Sequence, residues 1–222
     1  MQQGFKVAFY VCMRWIVSLI FSLTVGFHCV AFQFRSGDLL FVAEGRSSFS
    51  EAISSATSGA DSLSLVHVGI LWRCLDGELR VVEASPLHGV RSLGLGQFIE
   101  EAPKVNGHPE VVVKRITEPC DVDASVYRAL TFLGQPYDWY YLPDNGMIYC
   151  SELVYEAFLD QSGTHLFKAQ PMNFRASDGT MPSFWVELYN ELGVDVPEGL
   201  PGTNPNALSR DKALEEVFRF FN

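Results

Sequence analysis

The sequence predicts an α+β domain in which an antiparallel β-sheet or small barrel packs against a helix that begins at a cysteine. Three observations carry this expectation. Residues 37–45, 63–72, 79–86 and 109–116 are short β-rich runs bounded by turn residues. Asp76-Gly77 is a tight-hairpin signal, and such a turn joins its strands antiparallel. Residues 121–134 and 150–163 carry apolar side chains at helical spacing. The 222 residues are 48% hydrophobic and 19% charged, ordinary globular values that suffice for one sizeable core.

Taken in order, residues 1–31 have Lys6 and Arg14 as their only charges, and the apolar run "WIVSLIFSLTVGFHCVA" follows. This is the pattern of a secretory signal, with cleavage expected after Ala31. The stretch from Trp15 to Val25 is short for a membrane span, which takes ~20 apolar residues, so a retained anchor is the lesser alternative. Bulky Phe27 and His28 argue against lipid modification of Cys29. A single domain over 32–222 is then expected, exported across the inner membrane to the periplasm or cell envelope. Losing the signal moves the net charge from −10 to −12, and no basic stretch remains, which argues against a nucleic-acid partner. Cys74, Cys120 and Cys150 stay in the mature chain. Cys74 and Cys120 could pair, but with an odd number at least one thiol is left over and is flagged as reactive.

"GDLLFVAEG" (37–45) reads as a strand entered through a glycine turn, and "SSFSEAISSAT" (47–57) as a short helix after a serine cap. "LSLVHVGILW" (63–72) is an almost unbroken apolar run, the signature of a strand buried on both faces, with His67 in its middle. The hairpin at Asp76-Gly77 returns "LRVVEASP" (79–86), with Glu83 near its end. "PEVVVKRI" (109–116) is a further strand; Val126, Ala129, Leu130 and Leu133 form the apolar stripe of a helix closed by Gly134. Leu153, Val154, Ala157 and Phe158 mark one buried face of the next helix, which Gly163 ends and in whose first turn Cys150 falls. Residues 170–222 are rich in Pro, Gly and Asn and read as an irregular appendage with short helical pieces at 182–192 and 207–221.

A thiol is a nucleophile only as thiolate, which the positive end of a helix and a nearby imidazole both favour. Cys150 at a helix start fits that role, although free cysteines are often plain packing. His67 has the same ambiguity, since a histidine inside an apolar strand is commonly a hydrogen-bonded core residue. Both its ring nitrogens need partners, and a thiol on one side with a carboxylate on the other would supply them. Glu83 is the carboxylate best placed, because the hairpin lays its strand beside that of His67. His88, His108 and His165 form no spaced set with Cys, Asp or Glu, so no metal site is expected. Trp139, Tyr140 and Tyr141 lie just upstream of Cys150, either as a substrate wall or as core packing.

The order of these segments resembles a family. "GDLLF", "HVGILW" and "VVEASP" are similar to the middle motifs of NlpC-type cell-wall cysteine peptidases, and "GQPYDWYY" followed by "YCSELV" to their cysteine motif. Here the cysteine block comes last, as in the circularly permuted, YiiX-like branch of that papain-like superfamily, which is also related to the lecithin:retinol acyltransferase family. The resemblance covers residues 35–160 and implies a permuted papain-like fold. It assigns Cys150 as nucleophile, His67 as general base and Glu83 as orienter of the imidazole. Tyr137 matches the tyrosine near the oxyanion site, with Trp139 and Tyr140 beside it as substrate contacts, while Gly37 and Asp38 serve the fold. Tyr149 stands where the family pattern has Asp, and Glu152 where it has Gly.

What the resemblance implies is a cofactor-free cysteine hydrolase acting through an acyl-enzyme. The first expectation is cleavage of an amide bond in cell-wall, peptidoglycan-like peptides. A lipid-active amidase or acyltransferase, taking an acyl-amide and touching lipid or a membrane surface, is the second. A non-catalytic binding module on the same fold is the third.

Overall fold

In the computed structural model the described residues are 32–43, 47–57, 63–105 and 107–220, so the expected signal segment 1–31 lies outside them. The chain divides into two units, Met1–Gln33 and Phe34–Asn222, and every described element belongs to the second. Strand β1 (Leu39–Ala43) is buried along its whole length, as befits a strand with neighbours on both edges and both faces. It pairs with β2 (Leu65–Arg73) and with β7 (Val111–Ile116). Beyond β2 come β3 (Leu79–Ser85) and β4 (Gly89–Gly94), and beyond β7 comes β10 (Leu214–Phe220). The result is an open six-stranded sheet of order β10-β7-β1-β2-β3-β4, antiparallel at every pairing. Two-residue ladders join β5 (Lys104–Val105) to β6 (His108–Pro109), and β8 (Gln170–Pro171) to β9 (Pro201–Gly202).

The helices are α1 (Ser48–Thr57), α2 (Leu95–Glu101), α3 (Val122–Thr131), α4 (Cys150–Ala157), α5 (Ser183–Leu192) and α6 (Pro205–Ser209). Alternation along the strands gives the sheet two apolar faces. Leu39, Phe41, Val68, Ile70 and Val82 share one core with Val126 and Ala129 of α3 and Leu153, Val154 and Ala157 of α4. Leu40, Val42, Leu71, Val81, Val111 and Val113 form the other, with Phe98 of α2 and, at its margin, Phe34, Phe218 and Phe220. Gly37 opens β1 at φ +84, and a Cβ there would lie 2.5 Å from Val122 Cγ1, so only glycine lets α3 approach this closely. Buried Asp38 then anchors the strand through Arg115, Nε to Oδ1 at 2.7 Å and Nη2 to Oδ2 at 2.8 Å.

Pairing between β1 and β2 shifts at one place. Val42 faces His67 while Ala43 faces Leu65, so Val66 is an extra residue, a β-bulge immediately before His67. Asn206 of α6 holds the bulged segment, accepting from the Leu65 N–H at 2.8 Å and donating to Thr57 Oγ1 at 2.8 Å.

Some expectations are corrected. The helical piece expected at 207–221 is corrected over its described residues: α6 ends at Ser209, and Leu214–Phe220 pairs along the outer edge of β7, with a bulge between Glu216 and Phe218. Edge pairing and the packing of Phe218 and Phe220 on Phe34 decide this, a tertiary gain that local helical spacing does not register. The 170–222 segment is thus no mere appendage, since it supplies an edge strand of the main sheet. Helix α4 stops at Ala157 rather than near Gly163, because Phe158 turns extended and its carbonyl accepts from Leu166 N–H. Strand β4 and helix α2 form where the sequence pattern is silent. Cys74 and Cys120 are both free thiols.

Candidate active site

Cys150 is the first residue of α4 and follows Tyr149, which is extended at φ −101°, ψ 167°. A residue at this position has an N–H without an acceptor in its own helix, and it sits at the positive end of the helix dipole. Its side chain is almost wholly buried, yet it lines a narrow cleft, so its burial is that of a group on a cavity floor.

His67 follows the Val66 bulge and lies beyond the last rung of the β2–β3 ladder, Ile70 with Val82. There its Nε2 meets Glu83 Oε2 at 2.5 Å. Cys150 is the other group that acts on the ring. Burial works against a charge on the imidazole, but Cys150 and Glu83 together outweigh it and raise the His67 pKa to about 10. The ring also stacks on Phe98 at 6.1 Å.

Glu83 is buried and sits directly opposite Arg91 on β4. Arg91 donates to Glu83 Oε1 from Nε at 2.8 Å, and its Nη2 lies 2.6 Å from Glu101 Oε2, while Gln97 donates to Glu101 Oε1 at 2.7 Å. Burial disfavours the Glu83 carboxylate, but His67 and then Arg91 more than offset it and hold its pKa below the usual range. Arg91 escaped the sequence reading because its strand, "GVRSLG", is short and bounded by glycines.

The loop before α4 is built on Asp138, whose carboxylate accepts from Tyr140 N–H at 2.8 Å and Leu142 N–H at 2.9 Å. Within that turn Tyr141 takes φ +54° and points inward, its hydroxyl 3.3 Å from that of Tyr137. Tyr137 and Tyr141 line the cleft; Trp139 and Tyr140 do not. Trp139 packs instead on Phe49 and Tyr137, and the Tyr140 carbonyl accepts from Tyr189. The left-handed turn at Tyr141 is the reason, since it exchanges which aromatic faces the thiol. One further wall comes from α1 and β2, with Ile53, Ala56, Thr57 and Val66, and another from the C-terminal third, with Met172, Phe174, Trp185 and Thr203. Thr203 ties this wall to the nucleophile's neighbours: its N–H donates to Tyr149 Oη at 3.0 Å, and its Oγ1 lies 3.1 Å from Ser151 Oγ. Among the described residues, none lining the cleft carries a charged side chain.

A thiol in the first turn of a helix laid on an antiparallel sheet, with imidazole and carboxylate on earlier strands, defines a papain-like cysteine enzyme in permuted order. The chain belongs to the permuted papain-like amidase enzymes of the YaeF/YiiX, C92 family, whose model matches residues 33–218. It is 28% identical over 193 residues to the uncharacterized protein YiiX of Escherichia coli strain K12, covering 86% of this chain and 89% of that one. Its fold is similar to the crystal structure of the metalloprotein yiiX of Escherichia coli O157:H7, with a TM-score of 0.66 and 24% identity, over 86% of this chain and 100% of the other.

Proposed function

We propose that this protein is a thiol amidase with Cys150 as nucleophile, His67 as general acid and base, and Glu83 as the group that orients the imidazole. The observation that carries this is the placement of one imidazole between a buried carboxylate and a thiol at a helix start. With its pKa near 10, His67 holds the proton through the neutral range. The sulfur attacks the amide carbonyl, forming an S–C bond, and the oxyanion is received by the Cys150 N–H and the Tyr137 hydroxyl. Collapse breaks the C–N bond as His67 hands its proton to the leaving amine. Water then attacks the thioester with His67 taking its proton, and the carboxylic acid leaves.

The cleft favours a substrate whose acyl part is apolar and uncharged. Its walls are aromatic and aliphatic, with Thr203, Asn204 and Ser151 as the neutral polar groups near Cys150. A cell-wall peptide, the first expectation from the sequence, becomes the second reading, supported by the secretory pattern of residues 1–31 and the export to periplasm or envelope that it implies. Charged carboxylates of such a peptide would have to lie outside the cleft, because none of the described residues lining it is a cation.

The Escherichia coli O157:H7 neighbour is described as a metalloprotein. Among the described residues of this chain, Cys74, Asp76 and Glu78 are the one cluster of three ligating groups, and it lies outside the cleft. Both Glu78 oxygens are engaged by Arg80, and Asp76 Oδ1 by the Glu78 N–H. That donor set does not fit a resident metal, and no step above runs through one.

The test is incubation of the protein with N-acyl amides bearing apolar chains and, separately, with muropeptides, followed by mass spectrometry. A mass increment on Cys150 equal to the acyl group is expected with the first set. Products from muropeptides alone would move the assignment to the cell wall, and no adduct with either would sink the amidase.

A further inference from the structure

Glu152 is a buried carboxyl that the proposed reaction does not use. It is the third residue of α4, 9% exposed, and its Oε2 accepts a hydrogen bond from the Tyr149 N–H at 3.3 Å. Among the described residues no Lys, Arg or His forms an ion pair with it. The groups that face it are acidic: Asp138 and Asp144 from the loop before the helix, and Glu156 one turn along the same helix, with the Tyr149 phenol beside it. A carboxylate stripped of water and surrounded by like charges is pushed toward keeping its proton, against the pull of the Tyr149 N–H. Burial first, then those acids, push its pKa up to about 8.

Position gives this proton a consequence. Cys150 and Glu152 share the first turn of α4, where the helix offers partial positive charge to the sulfur and to the oxyanion beside it. We infer that Glu152 is a positioning residue which must stay neutral for the nucleophile to work, its ionisation cancelling the field that the start of α4 provides. Neutral, it accepts from the Tyr149 N–H and fixes the entry to the helix at no electrostatic cost. Ionised, with its proton released to solvent, it places a negative charge within the turn that must stabilise a developing negative charge. The glycine of the NlpC-type cysteine motif could not act in this way. The device rests on the reading of Cys150 as nucleophile.

The experiment follows acylation of Cys150 by p-nitrophenyl butyrate from pH 6 to 10 in the full chain, with Cys150→Ala as the blank for spontaneous hydrolysis. The wild-type acylation rate is expected to fall about 3- to 10-fold as pH rises through 8. Glu152→Gln keeps the acceptor oxygen but cannot ionise, and its rate is expected to hold until His67 loses its proton near pH 10. Glu152→Ala, uncharged but without the acceptor, should show the same flat profile at a lower rate, and it carries the test if the glutamine variant does not fold. A falling limb near pH 8 that persists in both variants overturns the inference and leaves the amidase standing. Absence of Cys150-dependent acylation at every pH in the wild type removes both.

Discussion

Glu83 Oε2 lies 2.5 Å from His67 Nε2, across 16 residues of chain, and its other oxygen is held by Arg91. The carboxylate is thereby fixed from two sides, and the imidazole it holds is the group on which Cys150 also acts. Both charges that hold the His67 proton come from groups within its reach, so each can be removed separately.

Glu83→Gln removes one of those charges. The His67 pKa is expected to drop from about 10 toward 6.5, which an NMR titration of its ring protons reads directly. Because the folded value is raised, His67 contributes stability that is full below pH 6.5 and is lost as pH rises through about 10. In Glu83→Gln that loss should be smaller and complete at a lower pH in urea melts. Glu83 itself, held below 4.5, contributes stability present above that value and lost as pH falls through its folded pKa. An unchanged His67 titration in the variant would show that the contact does not govern the proton.

His67→Ala should slow acylation of Cys150 by about 100- to 10,000-fold, the range for loss of a positioned acid and base. Iodoacetamide labelling near neutral pH, quantified by mass spectrometry, is a second reading of the same thiol. Equal labelling in wild type and variant would detach the imidazole from the sulfur.

Arg91→Met leaves Glu83 without its second anchor while touching neither sulfur nor substrate. A fall in kcat of about 10-fold with KM little changed is expected, together with a lower His67 pKa by NMR. Arg91→Lys should recover part of the loss, since one cation is restored without the paired geometry. A change confined to KM would contradict a role exerted through Glu83.

Gly202→Ala tests the cleft wall. A Cβ there would lie 2.4 Å from Met172 Sδ and 3.0 Å from Tyr149 Oη, so the flexible Met172 must swing away. Met172 lines the cleft, and its displacement should raise KM several-fold for long acyl chains and less for short ones. Equal effects on both would place the wall elsewhere.

Arg115→Ala leaves Asp38, 1% exposed, without its ion-pair partner. Breaking a buried pair from one side costs about 3 to 5 kcal/mol, and a urea melt should report a loss of that order. Reactivity of Cys150 in the folded fraction should survive.

Much of the sheet was legible because its strands are buried on both faces, which leaves little choice to runs such as "LSLVHVGILW". The hairpin at Asp76-Gly77 likewise fixed which carboxylate could reach His67, since turn chemistry is local. What escaped depends on contacts distant in sequence. β10 exists because β7 offers an open edge, and Arg91 matters because its register sets it opposite Glu83. The aromatic lining divides for a local reason that composition hides: Tyr141, one of the three rings weighed as a substrate wall, adopts φ +54°, a conformation an L-residue seldom takes, and turns into the cleft, while Trp139 and Tyr140 do not line it. Glu152 was visible as a departure from a motif, but its protonation follows from Asp138, Asp144 and Glu156, which only the folded chain assembles.

Thr203, Asn206 and β10 all lie beyond Cys150 along the chain. A nascent polypeptide therefore carries its imidazole, its carboxylate and its thiol before Thr203 can tie the cleft wall to Tyr149 and Ser151 or β10 can cover the edge of β7. A product cut short between α4 and Thr203 would hold the three groups without those ties.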